Sequence, residues 1–108
     1  MKKVIGIVLG ALLCSLAATA SADESSEHLS RVGANDDNKG LLFTTDGAWD
    51  GNICSNRSTL VIDLSTEGGR QMYHTALAAY LAGKVVKAFY STCSGSYPLA
   101  SRVDIVGN

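Results

Sequence analysis

Residues 58–90 read STLVIDLSTEGGRQMYHTALAAYLAGKVVKAFY, and their pattern changes twice. Residues 58–64 alternate with a period of two, which predicts a β-strand. Residues 70–82 are mostly helix formers, and their apolar positions recur with helical spacing. Residues 85–90 are rich in β-branched and aromatic side chains and predict another strand. The segment is therefore expected to form a strand, a helix and a strand.

The ends of this helix carry their own signals. Ser65 and Thr66 are good N-cap residues, and Glu67 follows in the first turn, where the helix dipole favours an anion. Gly83 is the expected glycine just past the last turn. Gly68 and Gly69 are poor helix formers, so the helix is expected to be regular only from Arg70.

The predicted helix is apolar on more than one face. One broad stripe faces the expected core and comprises Met72, Tyr73, Ala76, Leu77, Ala79 and Tyr80. Ala78, Leu81 and Ala82 make the opposite face apolar as well. Two interpretations stay open: the helix is deeply buried in a monomer, or this second face contacts another subunit.

Shorter signals surround this segment. Strands are predicted over about residues 28–34, 41–45 and 102–106, and the first few residues from Asp23 onward are expected to be a loose terminus. Residues 46–57 and 94–98 contain turn-forming residues and are expected to be loops. Three strands, a helix and two strands match the order of a five-stranded OB-like barrel, and equally an open antiparallel α+β sheet with one helix.

The first 22 residues predict a secretory signal peptide. Lys2 and Lys3 precede an apolar run that ends in small residues, with Ala20-x-Ala22 as the cleavage signal. The mature chain, residues 23–108, is then one small domain in the periplasm or secreted from the cell. Without the two leader lysines, seven basic residues face ten acidic ones, a net charge of −3. That charge disfavours nucleic acid and anionic membrane as partners.

The three cysteines divide between leader and domain. Cys14 leaves with the leader, so Cys54 and Cys93 are predicted to form a disulfide in an oxidising compartment. They are expected just outside strands, Cys54 before the third and Cys93 after the fourth. Closing a loop of this length contributes about 4 kcal/mol in the chain-entropy model. A redox or metal pair is disfavoured because the spacing is not C-x-x-C.

One longer pattern supports a resemblance. It comprises DLSTEGGRQMY at residues 63–73, GKVV at residues 83–86, and Cys93. The pattern resembles a group of small exported bacterial proteins of uncharacterised function and, more distantly, the binding (B) subunits of AB5-type toxins of the subtilase-cytotoxin kind. It covers about half of the chain. The resemblance implies an OB fold that assembles into a ring and binds cell-surface glycans, and it assigns no binding residue here.

No catalytic or metal-binding constellation stands out. The chain lacks a Gly-x-Ser-x-Gly elbow, His74 is expected on the polar face of the helix, and the aspartate-rich runs are explained by turn chemistry. We therefore expect no enzyme activity, cofactor or metal. Trp49 and Tyr97 lie in predicted loops that the disulfide would bring together, and they could share a binding surface. The alternative is that Trp49 caps the core.

These observations predict an exported binding module that recognises a glycan or a protein as an oligomer. The alternative is a monomeric periplasmic structural or inhibitor-like protein that binds another protein.

Overall fold

The structure is a computed structural model that describes residues 23–51 and 53–108. Its elements are β1 (Asp23–Ala34), β2 (Lys39–Thr44), β3 (Leu60–Asp63), α1 (Glu67–Ala82), β4 (Val85–Ser94) and β5 (Tyr97–Gly107). The predicted signal peptide, residues 1–22, lies outside the described residues, as does Cys14. Within the described part, no helix is both long and apolar enough to cross a membrane.

The five strands form a ring in the order β1-β2-β3-β5-β4. Strand β1 is long enough to pair with both β4 and β2, with an irregularity in register between Leu29 and Arg31 where it passes between them. The ring closes between β3 and β5 through one parallel pair, Val61 with Leu99. The other pairs are antiparallel. The predicted OB-like arrangement with one helix between strands 3 and 4 is confirmed, and the ring is closed rather than an open sheet.

Helix α1 begins three residues before the predicted regular start. The Thr66 Oγ1 accepts a hydrogen bond of 2.9 Å from the Gly69 backbone N–H, which caps the first turn. A Cβ at position 69 would lie 1.7 Å from the carbonyl oxygen of Asp63, so this close approach requires glycine. Gly83 ends the helix in the left-handed conformation, with φ of 68°, as predicted.

Two of the predicted boundaries are wrong. The first residues from Asp23 onward are not a loose terminus, since Asp23–His28 form the half of β1 that pairs with β4. Residues 97 and 98 are not a loop: β4 and β5 form one long hairpin with a turn at Gly95 and Ser96. Cys93 therefore lies inside β4 and pairs with Pro98 rather than following the strand. Polar residues hide the strand pattern of residues 23–28, whose partner strand β4 is distant in sequence. Turn-forming residues at positions 94–96 and Pro98 hide the start of β5, which pairs with the adjacent end of β4.

The core lies inside the ring and extends to α1. Its largest fully buried side chains include Trp49, Tyr90, Leu42, Leu60 and Ile62. Helix α1 contributes the small residues Ala76 and Ala79, with Met72 and Tyr73 packed alongside. Burial of this apolar surface is the main force that holds the helix on the strands.

Candidate functional site

A shallow open cleft of about 240 Å³ lies on the outer surface of the ring. It is lined by Ser30, Arg31, Phe43, Thr44, Gly47 and Ser58. These residues come from β1, from β2 and from the segment that joins β2 to β3, residues 45–59, which we call the β2–β3 loop. The cleft is smaller than the roughly 300–1,000 Å³ of pockets for drug-sized ligands, so it would hold one ring-sized group.

Arg31 and Phe43 form the centre of the cleft. They are cross-strand partners in the β1–β2 ladder, and the Arg31 guanidinium carbon lies 4.0 Å from the centroid of the Phe43 ring. Arg31 is exposed and Phe43 is half-buried. A guanidinium over an aromatic face is held by the ring quadrupole and keeps its N–H donors at the edge available.

Hydroxyl groups surround this pair. Ser30 and Ser58 are exposed, and the Ser30 Oγ donates to the Thr44 carbonyl at 3.0 Å. Thr44 is buried and its Oγ1 donates to the Ala48 carbonyl at 3.3 Å. The cleft therefore combines one cation, part of one aromatic ring and several groups able to exchange hydrogen bonds with a polar ligand.

The β2–β3 loop forms one wall of the cleft and is anchored by Trp49. The indole is 0% exposed, and its Nε1 donates to the Leu42 carbonyl at 3.1 Å. The Trp49 backbone N–H donates to the Arg57 carbonyl at 2.8 Å, and the Arg57 Nη1 donates back to the Trp49 carbonyl at 3.4 Å. Trp49 thus folds the loop on itself and fixes it to β2.

The predicted disulfide between Cys54 and Cys93 is confirmed, with their Cα atoms 5.8 Å apart. It joins the β2–β3 loop to β4. The Asn56 backbone N–H also donates to the Ser96 carbonyl at 2.9 Å, so the loop contacts the β4–β5 turn directly. The two predicted loops are therefore brought together, as expected from the cysteines.

A network of polar side chains is buried beneath the same loop. Ser25 and Glu27 lie on β1 and are 2% and 8% exposed. The Ser25 Oγ donates to the Glu27 Oε1 at 3.2 Å and accepts from the Asp50 backbone N–H at 3.1 Å. The Tyr90 hydroxyl donates to the Asp50 carbonyl. The loop therefore rests on hydrogen bonds as well as on Trp49.

Burial shifts the acid–base properties of this network. The pKa of Glu27 is raised above 4.5, first by desolvation and then by a hydrogen bond to the Asp46 carboxyl, with the charge of Asp50 adding to it. Desolvation raises the pKa of Tyr90 to about 12, so its hydroxyl keeps its proton at neutral pH. Sequence reasoning missed this network because polar residues at inward-facing strand positions leave no hydrophobic alternation.

The predicted surface of Trp49 and Tyr97 is not formed in this structure. Trp49 is completely buried, which is the alternative in which it caps the core, and so it offers no ring face to a ligand. Tyr97 is half-buried at the start of β5. The cleft residues were missed, since the contact between Arg31 and Phe43 depends on a strand register that the sequence does not reveal.

The second face of α1 is open to solvent in the single chain. Leu81 is 75% exposed, and Ala78 and Ala82 are exposed as well. Deep burial of this helix within a monomer, one of the two open interpretations, is therefore wrong. The end of β5 lies nearby, since the Lys84 Nζ donates to the Asn108 Oδ1, and Val106 there is 51% exposed.

The remaining candidate groups are dispersed. His74 is exposed on α1. Across residues 23–51 and 53–108, no group of three or more His, Cys, Asp or Glu side chains is arranged to hold a metal ion.

Comparisons with known proteins find no match: no family model, no curated protein and no solved structure is similar to this chain. The resemblance to toxin binding subunits therefore rests on the sequence pattern alone.

Proposed function

We propose that this protein is an exported, non-enzymatic binding module that recognises a glycan and works as an oligomer. The observation that carries the proposal is the cleft around Arg31 and Phe43, an open hollow the size of one ring and lined by hydroxyls. Sugars present hydroxyl groups and apolar ring faces, and sites of this composition can satisfy both.

The position of the cleft supports the same ligand class. Phe43 and Thr44 lie on β2, and Ser58 lies two residues before the start of β3. In OB folds the surface of strands 2 and 3 is where oligosaccharides and oligonucleotides bind. The net charge of −3 for residues 23–108 disfavours an oligonucleotide, because phosphate backbones are bound by clustered basic side chains.

The exposed face of α1 supports an oligomer. Leu81 is 75% exposed, and Ala78 and Ala82 beside it are exposed as well, so together they form an apolar surface that a second copy of the chain can cover. The two alanines are small and allow another helix to approach closely. Several weak sugar sites on one assembly also gain overall affinity through multivalency. The expected partner of Ala78, Leu81 and Ala82 is therefore another subunit.

The solution mass of the oxidised, exported protein, measured by light scattering, tests the oligomer. A mass of several subunits is expected, and Leu81→Glu should reduce it to the monomer. Ser91→Glu adds a negative charge to an exposed residue of β4 rather than to α1, and should leave the mass unchanged. A monomeric mass for the unsubstituted protein would contradict the proposal.

A glycan array, probed with the same protein, tests the ligand. Binding should be confined to a family of related sugars and should be lost on Phe43→Ala. Tyr97→Ala is the matched control, because this aromatic side chain is outside the cleft. Absence of binding to any glycan would contradict the glycan part of the proposal.

The alternative is a monomeric protein of inhibitor-like or structural type, for which the exposed helix face docks on a different protein. The exposure of Leu81 supports it equally. A monomeric mass, together with a stable complex that Leu81→Glu abolishes and Ser91→Glu does not, would favour this alternative.

A further inference from the structure

We infer that the buried carboxyl of Glu27 and the carboxyl of Asp46 form a pH-sensitive latch, which holds the β2–β3 loop closed in acid and loosens it near neutral pH. The loop is one wall of the cleft, so the latch controls whether that wall is formed. The inference goes beyond the proposed function, because it concerns the loop itself and holds for any class of ligand. It is carried by the contacts that Glu27 makes with both β1 and the loop.

Glu27 occupies an inward-facing position of β1. Buried side chains alternate with exposed ones along this part of the strand, and Glu27 falls between Ser25 and Leu29 in the buried set. Such a position usually holds an apolar side chain, because an ionised group loses its hydration there. The residue paired with Glu27 across the β1–β4 ladder is the buried Val86, which offers no charge. The protonated form of Glu27 is therefore favoured while the loop is closed.

The loop supplies an acceptor for the Glu27 proton. Asp46 is exposed, and its carboxyl is hydrogen-bonded to the Glu27 carboxyl. Two carboxyl groups form such a bond only when one of them carries a proton, since two neighbouring carboxylates repel each other. Glu27 also accepts a hydrogen bond of 3.2 Å from the Ser25 Oγ. The bond between Glu27 and Asp46 is thus present below the folded-state pKa of Glu27 and is replaced by repulsion above it.

Further carboxylates near the pair oppose the ionisation of Glu27. The charge of Asp50 in the loop acts with that of Asp46 to raise the pKa of Glu27. Asp23, at the start of β1, also faces the loop, because its carboxylate accepts from the Ile53 backbone N–H at 3.3 Å. Strand and loop therefore bring acidic groups together from both sides, and the closed loop becomes less favourable as these groups ionise.

The cations and the other ionisable groups nearby do not offset this repulsion. Arg57 is the one cationic residue of the loop, and its Nη1 donates to the Trp49 carbonyl. On β4, the Tyr90 hydroxyl keeps its proton at neutral pH, and Lys87 forms an ion pair with the exposed Glu24. On β2, Lys39 pairs with Asp63. Helix α1 packs on β1 as well, but Tyr73 lies against Gly40 of β2, and the other ionisable side chains of the helix are exposed: Glu67, Arg70, His74 and Tyr80.

The latch acts directly on the wall of the cleft. Asp46 is followed by Gly47, which lines the cleft and whose backbone N–H donates to the Thr44 carbonyl at 3.2 Å. On the other side of Asp46, the Thr45 backbone N–H donates at 3.0 Å to the carbonyl of His28, the residue after Glu27. Release of the Asp46 side chain from Glu27 therefore loosens the segment that places Gly47.

Quenching of Trp49 fluorescence by acrylamide tests the latch without any sugar. Trp49 is the only tryptophan of the chain and is completely buried in the closed loop. Acrylamide is neutral, so its access to the indole reports on opening of the loop and not on charge. The quenching constant of the oxidised, exported protein should rise at least about twofold between about pH 4.5 and pH 7. Each unit by which the pKa of Glu27 is higher in the closed loop than in the open one multiplies the ratio of open to closed loop about tenfold.

Two substitutions should remove this dependence on pH while the loop stays closed. Glu27→Gln supplies an amide N–H that donates to the Asp46 carboxylate, and Asp46→Asn supplies one that donates to the Glu27 carboxylate. Both variants should keep the low quenching constant of acid pH as the pH rises to 7. Glu24→Gln and Asp36→Asn are the matched controls, because each makes the same exchange at an exposed residue outside the latch. The controls should show the same rise as the unsubstituted protein.

The possible outcomes separate the latch from the proposed function. A quenching constant that stays the same from pH 4.5 to pH 7 in the unsubstituted protein would overturn the inference. So would a full rise that persists in Asp46→Asn, a variant that changes an exposed residue and leaves the core intact. An equal flattening in Asp36→Asn would overturn it as well, since the effect would then follow net charge. A glycan array without binding would contradict the proposed function and leave the latch standing.

Discussion

Helix α1 and the β2–β3 loop both pack on the five strands, but with different kinds of side chain. The helix buries Ala76 and Ala79, small apolar residues that need no hydrogen-bond partner. The loop buries Trp49, which needs an acceptor, and it lies on the polar residues Ser25 and Glu27. The helix is thus held by the hydrophobic effect, whereas the loop depends on specific hydrogen bonds and on a covalent link.

Removal of the covalent link is expected to have the largest effect. Cys54 and Cys93 are separated by 39 positions in the sequence. Replacing both with alanine removes the covalent closure of this loop and should lower the free energy of unfolding by about 4 kcal/mol. Urea unfolding of the oxidised protein and the variant measures the loss. Trp49 fluorescence should change at lower urea than the helical circular dichroism, because the loop is the part that the disulfide fixes.

Ser55→Ala is the control for this experiment, since it changes an exposed residue next to Cys54 and leaves the disulfide intact. Unchanged stability of the double cysteine variant, with coincident fluorescence and circular dichroism transitions, would contradict a special dependence of the loop on the disulfide.

The indole hydrogen bond should have the next largest effect. Trp49→Phe keeps an aromatic ring but leaves the Leu42 carbonyl without the Nε1 donor, in a position where the indole is fully buried. A buried group that loses its partner costs about 1–3 kcal/mol, and the smaller ring adds to that cost. Thermal unfolding should therefore show a loss of about 2 kcal/mol or more.

Tyr80→Phe provides the comparison on the helix, because Tyr80 is 40% exposed and its change should stay within about 0.5 kcal/mol. If Trp49→Phe is equally harmless, the hydrogen bond to Leu42 does not hold the loop.

The same difference explains how far the sequence predicts the fold. The helix could be predicted because its signals are local: Thr66 caps it, Gly83 ends it, and its apolar spacing is visible within 16 residues. The β2–β3 loop could not be predicted in this way. The Trp49 indole is held by the Leu42 carbonyl of β2, and the loop also contacts Ser25 of β1, in a stretch whose polar sequence resembles a chain terminus. Turn-rich composition alone does not distinguish a surface loop from one that supplies a core residue.

The candidate site was hidden for a related reason. Arg31 and Phe43 are 12 positions apart and meet only because of the β1–β2 register, next to the irregularity between Leu29 and Arg31. A shift of one residue would place them on opposite faces of the sheet. The sequence contains an arginine and a phenylalanine on two predicted strands, but nothing local that joins them into a cleft.

On the helix itself, removal of the N-cap should have a moderate effect. Thr66→Ala removes the acceptor for the Gly69 N–H and should cost about 1 kcal/mol in thermal unfolding. Thr75→Ala makes the same substitution in the middle of the helix, where the Oγ1 only donates to the Gln71 carbonyl, and alanine favours helix there. An equal loss from both variants would show that the cap contributes nothing of its own.

The smallest expected effect concerns the dependence of loop stability on pH. The pKa of Glu27 is raised in the folded protein, mainly by burial, so this group stabilises the fold below about pH 4.5 and loses that contribution as the pH rises through its folded-state pKa. Glu27→Gln keeps the shape without the charge. The melting temperature of this variant, relative to the unsubstituted protein, should therefore increase between pH 4.5 and pH 7.

Glu24→Gln is the matched control for the pH experiment. Glu24 is an exposed neighbour on β1, and its carboxylate lies 3.3 Å from the Lys87 Nζ, so its loss removes an attraction rather than a buried charge. Its melting temperature relative to the unsubstituted protein should not rise with pH. If the melting temperatures of the two variants depended on pH in the same way, the loop would tolerate the Glu27 charge. The polar network beneath the loop would then be no more sensitive to pH than the exposed surface of the sheet.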